Sequence, residues 1–416
     1  MVGLRATAAS LLALAALCGS VSAHPGEHRN AAKLKRSVEI ARRADENADQ
    51  IIARCQHTNI AKAMKERAVL RRAAKAREMR EQRGLEESRM IVRRDQEDLD
   101  QWMQTCHNQG DKHQYDKSTP IHTIFGSNVT TGLAPETIIG PYWVEGEFIR
   151  TNIFEKQDGI PIHLDLQFVD VASCAAVPNM LVDVWHANAT GVYSGVTSGG
   201  GLNSTFSRGV QITDIDGVVQ FDSVFPGHYL GRTNHIHVTS NRGATLLENG
   251  TYIGGKVNHI GQLYFDQELA SMIETMPPYS NNMMKLTTNA QDFLTAQQSS
   301  REYDPFLDYV LLSENPADGI LMWITIGVNT TADQSHLVSA ASHYYKEGGK
   351  ENPSPWGNIS FPGNFTFPAG GFPGGGFPTA LPPGFTPPPG MPPFPTASGP
   401  TPTPTKFWGP CMKKRE

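Results

Sequence analysis

Two histidines one residue apart, His235 and His237, lie in an alternating apolar and polar run, His235-Ile236-His237-Val238, that reads as a strand. Residues two apart on a strand share a face, so the two imidazoles stand side by side as a ready metal chelate. Alone, such a pair reads as two half-exposed histidines. The setting changes that reading, because two tyrosines stand upstream at turn-like positions. Tyr193 sits in Gly191-Val192-Tyr193-Ser194, just after the strand end Trp185-His186-Ala187-Asn188. Tyr229 closes the turn Pro226-Gly227-His228-Tyr229.

The ordered set Val182–Asn188, Gly191–Ser194, Arg208-Gly209-Val210-Gln211-Ile212-Thr213-Asp214, Pro226–Tyr229 and Arg232-Thr233-Asn234-His235-Ile236-His237 resembles the intradiol ring-cleavage dioxygenases. These are the catechol, hydroxyquinol and protocatechuate dioxygenases, which carry non-haem ferric iron. The likeness runs from near Gly140, in Gly140-Pro141-Tyr142-Trp143, to near Asp266. It implies Fe(3+) with Tyr193 and His235 as equatorial ligands and Tyr229 and His237 as axial ones. It also implies that Arg232 steadies negative charge building on the substrate, and that Gln262 is a second pocket position. Such a ligand set makes chemical sense, since ferric iron favours hard oxygen donors and imidazole over thiolate. A phenol titrates near pH ~10 in water, but a bound cation holds it as phenolate. The reaction implied is cleavage of a catechol-type diol by O2 between its hydroxylated carbons, giving a muconate-type diacid, with Tyr229 displaced and protonated on binding. The loop from Tyr229 to His235 is shorter than is usual in the family. Thr233 and Asn234 stand where Pro and Ala are commoner, so pocket shape departs from the pattern.

Elements must position these residues. Ile162–Val169, Leu181–Trp185, Val218–Phe221, Ile236–Val238 and Leu263–Phe265 are short alternating runs separated by turn residues such as Asp216-Gly217 and Pro226-Gly227. They predict a mainly β chain whose catalytic domain is an antiparallel β-sandwich. Ile320–Val328 is a further buried strand, and a helix follows Asp266. Trp185 and His186, on or beside a core strand, read as structural. Residues 24–118 form a helical accessory or pro-segment, punctuated at Gly84. Its basic run Arg71–Arg83 reads as a solvated helix face, and His57, His107 and His113 read as surface residues. Thr119–Phe148 reads as a linker or arm. Residues 119–345 form the catalytic domain, and 346–416, rich in Pro, Gly and Phe, form a tail unable to bury enough surface to order itself.

The 416 residues are 39% hydrophobic with a net charge of −5, so no global field argues for nucleic acid or membrane. Residues 1–23 read as a signal peptide, with Arg5, an apolar Ala8–Cys18 stretch and a Val21-Ser22-Ala23 cleavage site. Secretion is the expectation. Sequons at Asn128, Asn188, Asn203, Asn249, Asn329, Asn358 and Asn364 agree with it. The mature cysteines Cys55, Cys106, Cys174 and Cys411 imply two disulfides with three possible pairings, Cys55–Cys106 being expected from their shared helical region. The partners expected are a small aromatic diol and O2, with wall or matrix contact through the tail. Two other readings stay open. One is a metal-containing sandwich that binds catecholic ligands without turnover, and the other is a structural cell-wall protein.

Overall fold

The structure is a computed structural model that describes residues 58–85, 102–103, 105–109, 120–126, 132–300 and 303–353. The signal peptide, His57, His113, Cys55, Cys411 and the tail from residue 354 lie outside the described residues. In chain order come α1 (Asn59–Arg83), α2 (Ile121–Phe125), β1 (Val144–Glu145), β2 (Pro161–Asp170), β3 (Ala175–Ala176), β4 (Leu181–Trp185) and β5 (Arg208–Ile212). There follow β6 (Val218–Val224), β7 (His235–Arg242), β8 (Thr245–Leu246), β9 (Tyr252–Ile253), β10 (Lys256–Tyr264) and α3 (Gln267–Glu274). The last are α4 (Phe293–Gln298), β11 (Asp308–Leu311), β12 (Ile320–Val328), β13 (Ser342–Tyr345) and β14 (Gly348–Glu351).

Two sheets pack face to face. One runs β10-β7-β4-β5, and the other runs β11-β12-β2, with β3 and β6 both pairing to β2. Between them lie Leu164, Leu166 and Phe168 of β2, Val182 and Val184 of β4, Ile236 and Val238 of β7, and Met322, Ile324 and Ile326 of β12. The sandwich is mixed rather than strictly antiparallel. β12 pairs with β2 in parallel from Ile320↔Ile162 to Val328↔Asp170, and β1 pairs with β13 in parallel. Alternation reports which face a residue occupies but not strand direction. The long excursion between β2 and β12 gives the chain room to return in the same sense, which a hairpin cannot do.

The basic run in α1 is not a solvated face. Thr58 Oγ1 caps the helix by accepting from Ala61 N at 3.0 Å, and Gly84, with φ 64°, ends it. Val69, Ala76 and Met79 pack on Val310, Leu321 and Trp323, on the outer face of the β2 sheet. Arg72 lies among them, 2% exposed, and donates through Nε to Asp165 Oδ1 at 3.1 Å. Arg71 grips the same carboxylate, with Nε to Oδ2 at 2.6 Å and Nη2 to Oδ1 at 2.9 Å. Arg67 pairs with Asp216 in the β5–β6 turn. The arginines therefore dock the helix on a strip of carboxylates, which charge counting along one strand cannot reveal.

His107 is likewise not a surface residue. It is buried, its ring bonded to Asp266 through Nδ1 and to Asp304 through Nε2 at 2.8 Å. Burial lowers its pKa, but the two carboxylates outweigh burial and raise it well above the usual value. The charged ring anchors residues 105–109 to the sandwich. The expected arm before β1 is also packed, with Ala134, Ile139 and Trp143 buried. Cys106 and Cys174 are each disulfide-bonded.

Asp165 carries a test of this docking. Burial pushes its carboxyl up, but Arg72 and Arg71 hold it at about 2, below the ~3.9 of an unfolded aspartate. Its contribution to stability is thus complete above pH ~4 and is lost as pH falls through ~2. Asp165→Ala, which leaves the buried Arg72 guanidinium without its carboxylate, is expected to cost about 3 kcal/mol or more at neutral pH, read from the denaturant midpoint. A neutral-pH midpoint unchanged from native would refute the docking role.

Candidate metal centre

Strand alternation places the site on the outer face of the β10-β7-β4-β5 sheet. Ile236 and Val238 point into the sandwich core, so His235 and His237 point away from it. The register puts Trp185 on one side of His237 and Gln262 on the other. Tyr264 stands opposite His235. A face carrying two imidazoles must then be closed by loops.

Two of those loops carry the tyrosines, and Asn188 laces them together. Its carbonyl accepts from Gly191 N at 2.9 Å and from Gly227 N at 3.1 Å. Its side-chain Oδ1 accepts from Thr190 N at 3.1 Å and Val192 N at 3.0 Å. Gly191 has φ 80°, and a Cβ there would lie 2.2 Å from the His228 carbonyl oxygen, so the turn before Tyr193 admits only glycine. Arg208 holds the next residue, donating from Nη2 to Ser194 O at 2.6 Å. On the other loop, His228 is fixed between Glu274, at 2.9 Å from Nδ1, and the Met284 carbonyl, at 2.9 Å from Nε2.

The four expected ligands converge. Tyr193 Oη and Tyr229 Oη each lie 3.4 Å from His235 Nε2, and His235 Nε2 lies 3.1 Å from His237 Nε2. Donors held ~2.0–2.1 Å from one first-row ion stand about 3.0–3.4 Å apart at angles between octahedral and tetrahedral, so the set fits one cation. His235 Nδ1 donates to Thr233 O at 2.6 Å, which leaves Nε2 as the bare nitrogen turned inward. Two imidazole lone pairs facing each other at this distance repel unless a cation or proton lies between them. Burial, then the Arg232 charge, push both imidazoles well below their ordinary pKa and keep them neutral. Burial raises both phenols, so only a cation would ionise them in this setting. Among the described residues no group of three or more His, Cys, Asp or Glu is placed to hold a metal. This centre is built from phenols and imidazoles instead.

Arg232 and Gln262, both expected at the site, are joined there. Arg232 Nη1 donates to Tyr229 Oη at 3.2 Å, and Nη2 donates to Gln262 Oε1 and, at 3.4 Å, to Tyr264 Oη. Gln262 is fully buried, and its Nε2 has no partner among the described residues. Trp185 is nearer to the chemistry than a structural reading gives, since its ring stacks on His237 at 4.8 Å with an 8° tilt. His186 does serve structure, held between Ala187 O and Ser223 Oγ.

Several lining residues are missed by the sequence reading. Tyr142 stacks on Tyr193 at 4.3 Å and meets Tyr229 edge-on at 5.8 Å. Met284, Val338, Ala340 and Ala341 complete an apolar wall with Ile139, Val196 and Val257. Tyr264 was within reach of a period-two reading of β10, two residues from Gln262. Met284 and the 338–341 stretch carry no such signal, because only chain folding brings them over the sheet.

Residues 138–271, about a third of the chain, match the family model described as Dioxygenase. An intradiol ring-cleavage dioxygenase from Tetranychus urticae is similar over 49% of this chain and 97% of that one, at 28% identity and a TM-score of 0.42. Hydroxyquinol 1,2-dioxygenase from Pseudomonas putida is similar over 49% of this chain and 68% of that one, at 16% identity and a TM-score of 0.32. Catechol 1,2-dioxygenase from an Acinetobacter species is similar over 47% and 62% of the two chains, at 18% identity and a TM-score of 0.32. A comparison with curated proteins returned no match. The 138–271 stretch is therefore similar to the dioxygenase family along its length. It spans Tyr193, Tyr229, Arg232, His235, His237 and Gln262.

Ligand exchange at one tyrosine tests the centre. Protein loaded with ferric iron is expected to show a tyrosinate-to-metal absorption band in the visible. Tyr193→Phe should remove most of that band, whereas Trp185→Phe, which keeps an aromatic ring against His237, should retain it. An unchanged spectrum in Tyr193→Phe would exclude Tyr193 as a ligand.

Proposed function

We propose that this protein is a secreted intradiol dioxygenase that holds ferric iron on Tyr193, Tyr229, His235 and His237 and cleaves catechol-type diols with O2 to muconate-type diacids. The observation that carries the reading is the convergence of two phenol oxygens and the His237 nitrogen on His235 Nε2, at 3.1–3.4 Å, beside a buried arginine. Bound iron would supply Lewis acidity that ionises the diol and makes its ring electron-rich enough to meet O2. The protein's residues do the rest. Tyr229 Oη, as a phenolate, is the base that takes the diol's proton, and Arg232 Nη1 at 3.2 Å holds that oxygen in place. Once Tyr229 is neutral, the Arg232 charge faces the ionised diol and stabilises the negative charge that grows on it. Gln262 Nε2, a buried donor with no partner among the described residues, adds a hydrogen bond on the same side. Tyr142, Met284 and Ala340 wall the site with apolar surface and limit water.

Secretion is part of the proposal. The disulfide-bonded state of Cys106 and Cys174 supports an oxidising compartment. Of the sequon asparagines, Asn203, Asn249 and Asn329 are exposed. Asn188 is half-buried, and its Nδ2 is spent on Gln157 Oε1 at 3.1 Å. The sequons at Asn128, Asn358 and Asn364 lie outside the described residues.

The activity test is the site of ring opening. Purified protein should carry about one iron per chain, as befits a single four-ligand site. With catechol or hydroxyquinol under labelled O2, the product should be a colourless, ultraviolet-absorbing diacid with one labelled atom in each new carboxyl. A yellow semialdehyde, from cleavage beside the diol, would refute the mechanism. Glycan mapping of protein secreted from a eukaryotic host should find Asn249 and Asn329 modified and Asn188 bare. A glycan on Asn188 would contradict the turn described for it.

A further inference from the structure

Arg232 is a buried cation, 6% exposed, in a loop that is short by the standard of the family it resembles. Of the groups it bonds, Tyr229, Tyr264 and Gln262 are two phenols and an amide. The fourth is a carboxylate. Asp292, whose side chain is fully buried, accepts from Arg232 Nε through Oδ2 at 2.8 Å. We propose that Asp292 is the positioning residue for Arg232, setting the direction in which the guanidinium faces Tyr229 and the reacting diol. The inference rests on the reading of the site as a ring-cleaving centre.

Geometry carries it. A guanidinium is a rigid plane with five N–H groups, so anchoring Nε fixes where Nη1 and Nη2 point. The same Oδ2 accepts from Thr233 N at 3.0 Å. One oxygen thus holds both the head of Arg232 and the backbone that leads to His235. The carboxylate is itself held, since Oδ1 accepts from Leu294 N at 3.0 Å at the start of α4. The far end of the same helix supports the other polar residue of the pocket. Gln298 Oε1 accepts from Gln262 N at 2.8 Å, and Gln298 Nε2 donates to Pro135 O at 2.6 Å. The segment 292–298 therefore braces Arg232 from one end and Gln262 from the other. It lies beyond residues 138–271, the stretch that matches the dioxygenase family.

Charge acts in the same direction. With a carboxylate on Nε, the cation is balanced from behind and its Nη groups remain directed at the site. Without it, a buried guanidinium would seek the nearest developing anion, Tyr229 Oη, the oxygen proposed to change protonation during turnover. Misdirection of this kind should slow the chemical step more than it weakens binding.

The test is a double-mutant cycle in the iron-loaded full chain. Asp292→Asn is expected to lower the melting temperature but to keep iron and the visible band in the folded protein, while kcat/KM falls by about 30-fold, mostly in kcat. Combining Asp292→Asn with Arg232→Ala should be no slower than Arg232→Ala alone, because the two residues act as one unit. Activity of Asp292→Asn within about threefold of native, or losses that multiply in the double variant, would overturn the inference. Should Asp292→Asn fail to fold, Asp292→Glu keeps the charge but shifts the guanidinium. The same cycle then applies, and the same two outcomes decide it. The dissociation constant of 4-nitrocatechol, read from its spectral change on the holoprotein, supplies a second cycle that needs no turnover. If the native protein binds 4-nitrocatechol but does not cleave diols, the ring-cleavage reading fails. Coupling between Asp292 and Arg232 in that binding then upholds or overturns the positioning role by itself. If it neither binds nor cleaves, both fall.

Discussion

The alternation of β7 is the constraint from which the rest follows. Ile236 and Val238 belong to the sandwich core, so His235 and His237 must face outward on the sheet. An outward face would ordinarily meet water. Here it is roofed by the turn of Tyr193, the loop of Tyr229 and Arg232, the stretch around Met284, and the Val338–Ala341 crossing. The parallel pairing of β1 with β13 ties the Tyr142–Trp143 stretch, which also lines the site, to the Val338–Ala341 crossing. The site is therefore a second, smaller core on the far side of a sheet.

Burying so many polar groups requires a partner for each charge. Arg232 has Asp292. Arg208, wholly buried beneath the Tyr193 turn, has Glu147 3.5 Å away, and Asp183 beside them takes hydrogen bonds from Trp143 Nε1 and Tyr252 Oη. Burial pushes the carboxyls of Glu147 and Asp183 up from their usual range. These groups lie behind the turn of Tyr193 rather than among the four converging side chains, and they fix the loops around that turn. An unpaired member of such a set costs more than the pair contributes, which is why the partners come together or not at all.

The helical segment solves the same problem on the opposite face of the molecule. The outer face of β2 carries His163, Asp165 and Gln167, all buried. α1 covers them with arginines as well as with Val69, Ala76 and Met79, so its attachment depends on charge and on packing together. The candidate metal site and the docked helix occupy outer faces of different sheets, and the shared core of Leu164, Val184, Ile236 and Met322 lies between them.

The sequence alone determined what local periodicity and residue chemistry can encode. The His235-x-His237 spacing put two imidazoles on one face, Pro226-Gly227 and Asn188-x-x-Gly191 marked the turns that carry the tyrosines, and the alternating runs predicted a sandwich. Gly84 ended its helix where expected. Tertiary structure decided whatever depends on residues distant in the chain. It chose the parallel pairing of β2 with β12, brought Asp292 to Arg232 across 60 positions, and buried Arg72 and His107 against carboxylates that no local pattern links to them. It also gave Trp185 a place against His237. The physical reason is that side-chain direction follows from the backbone within a few residues. The partner of a buried charge is fixed only when the whole chain has closed around it, because only then is water no longer there to solvate it.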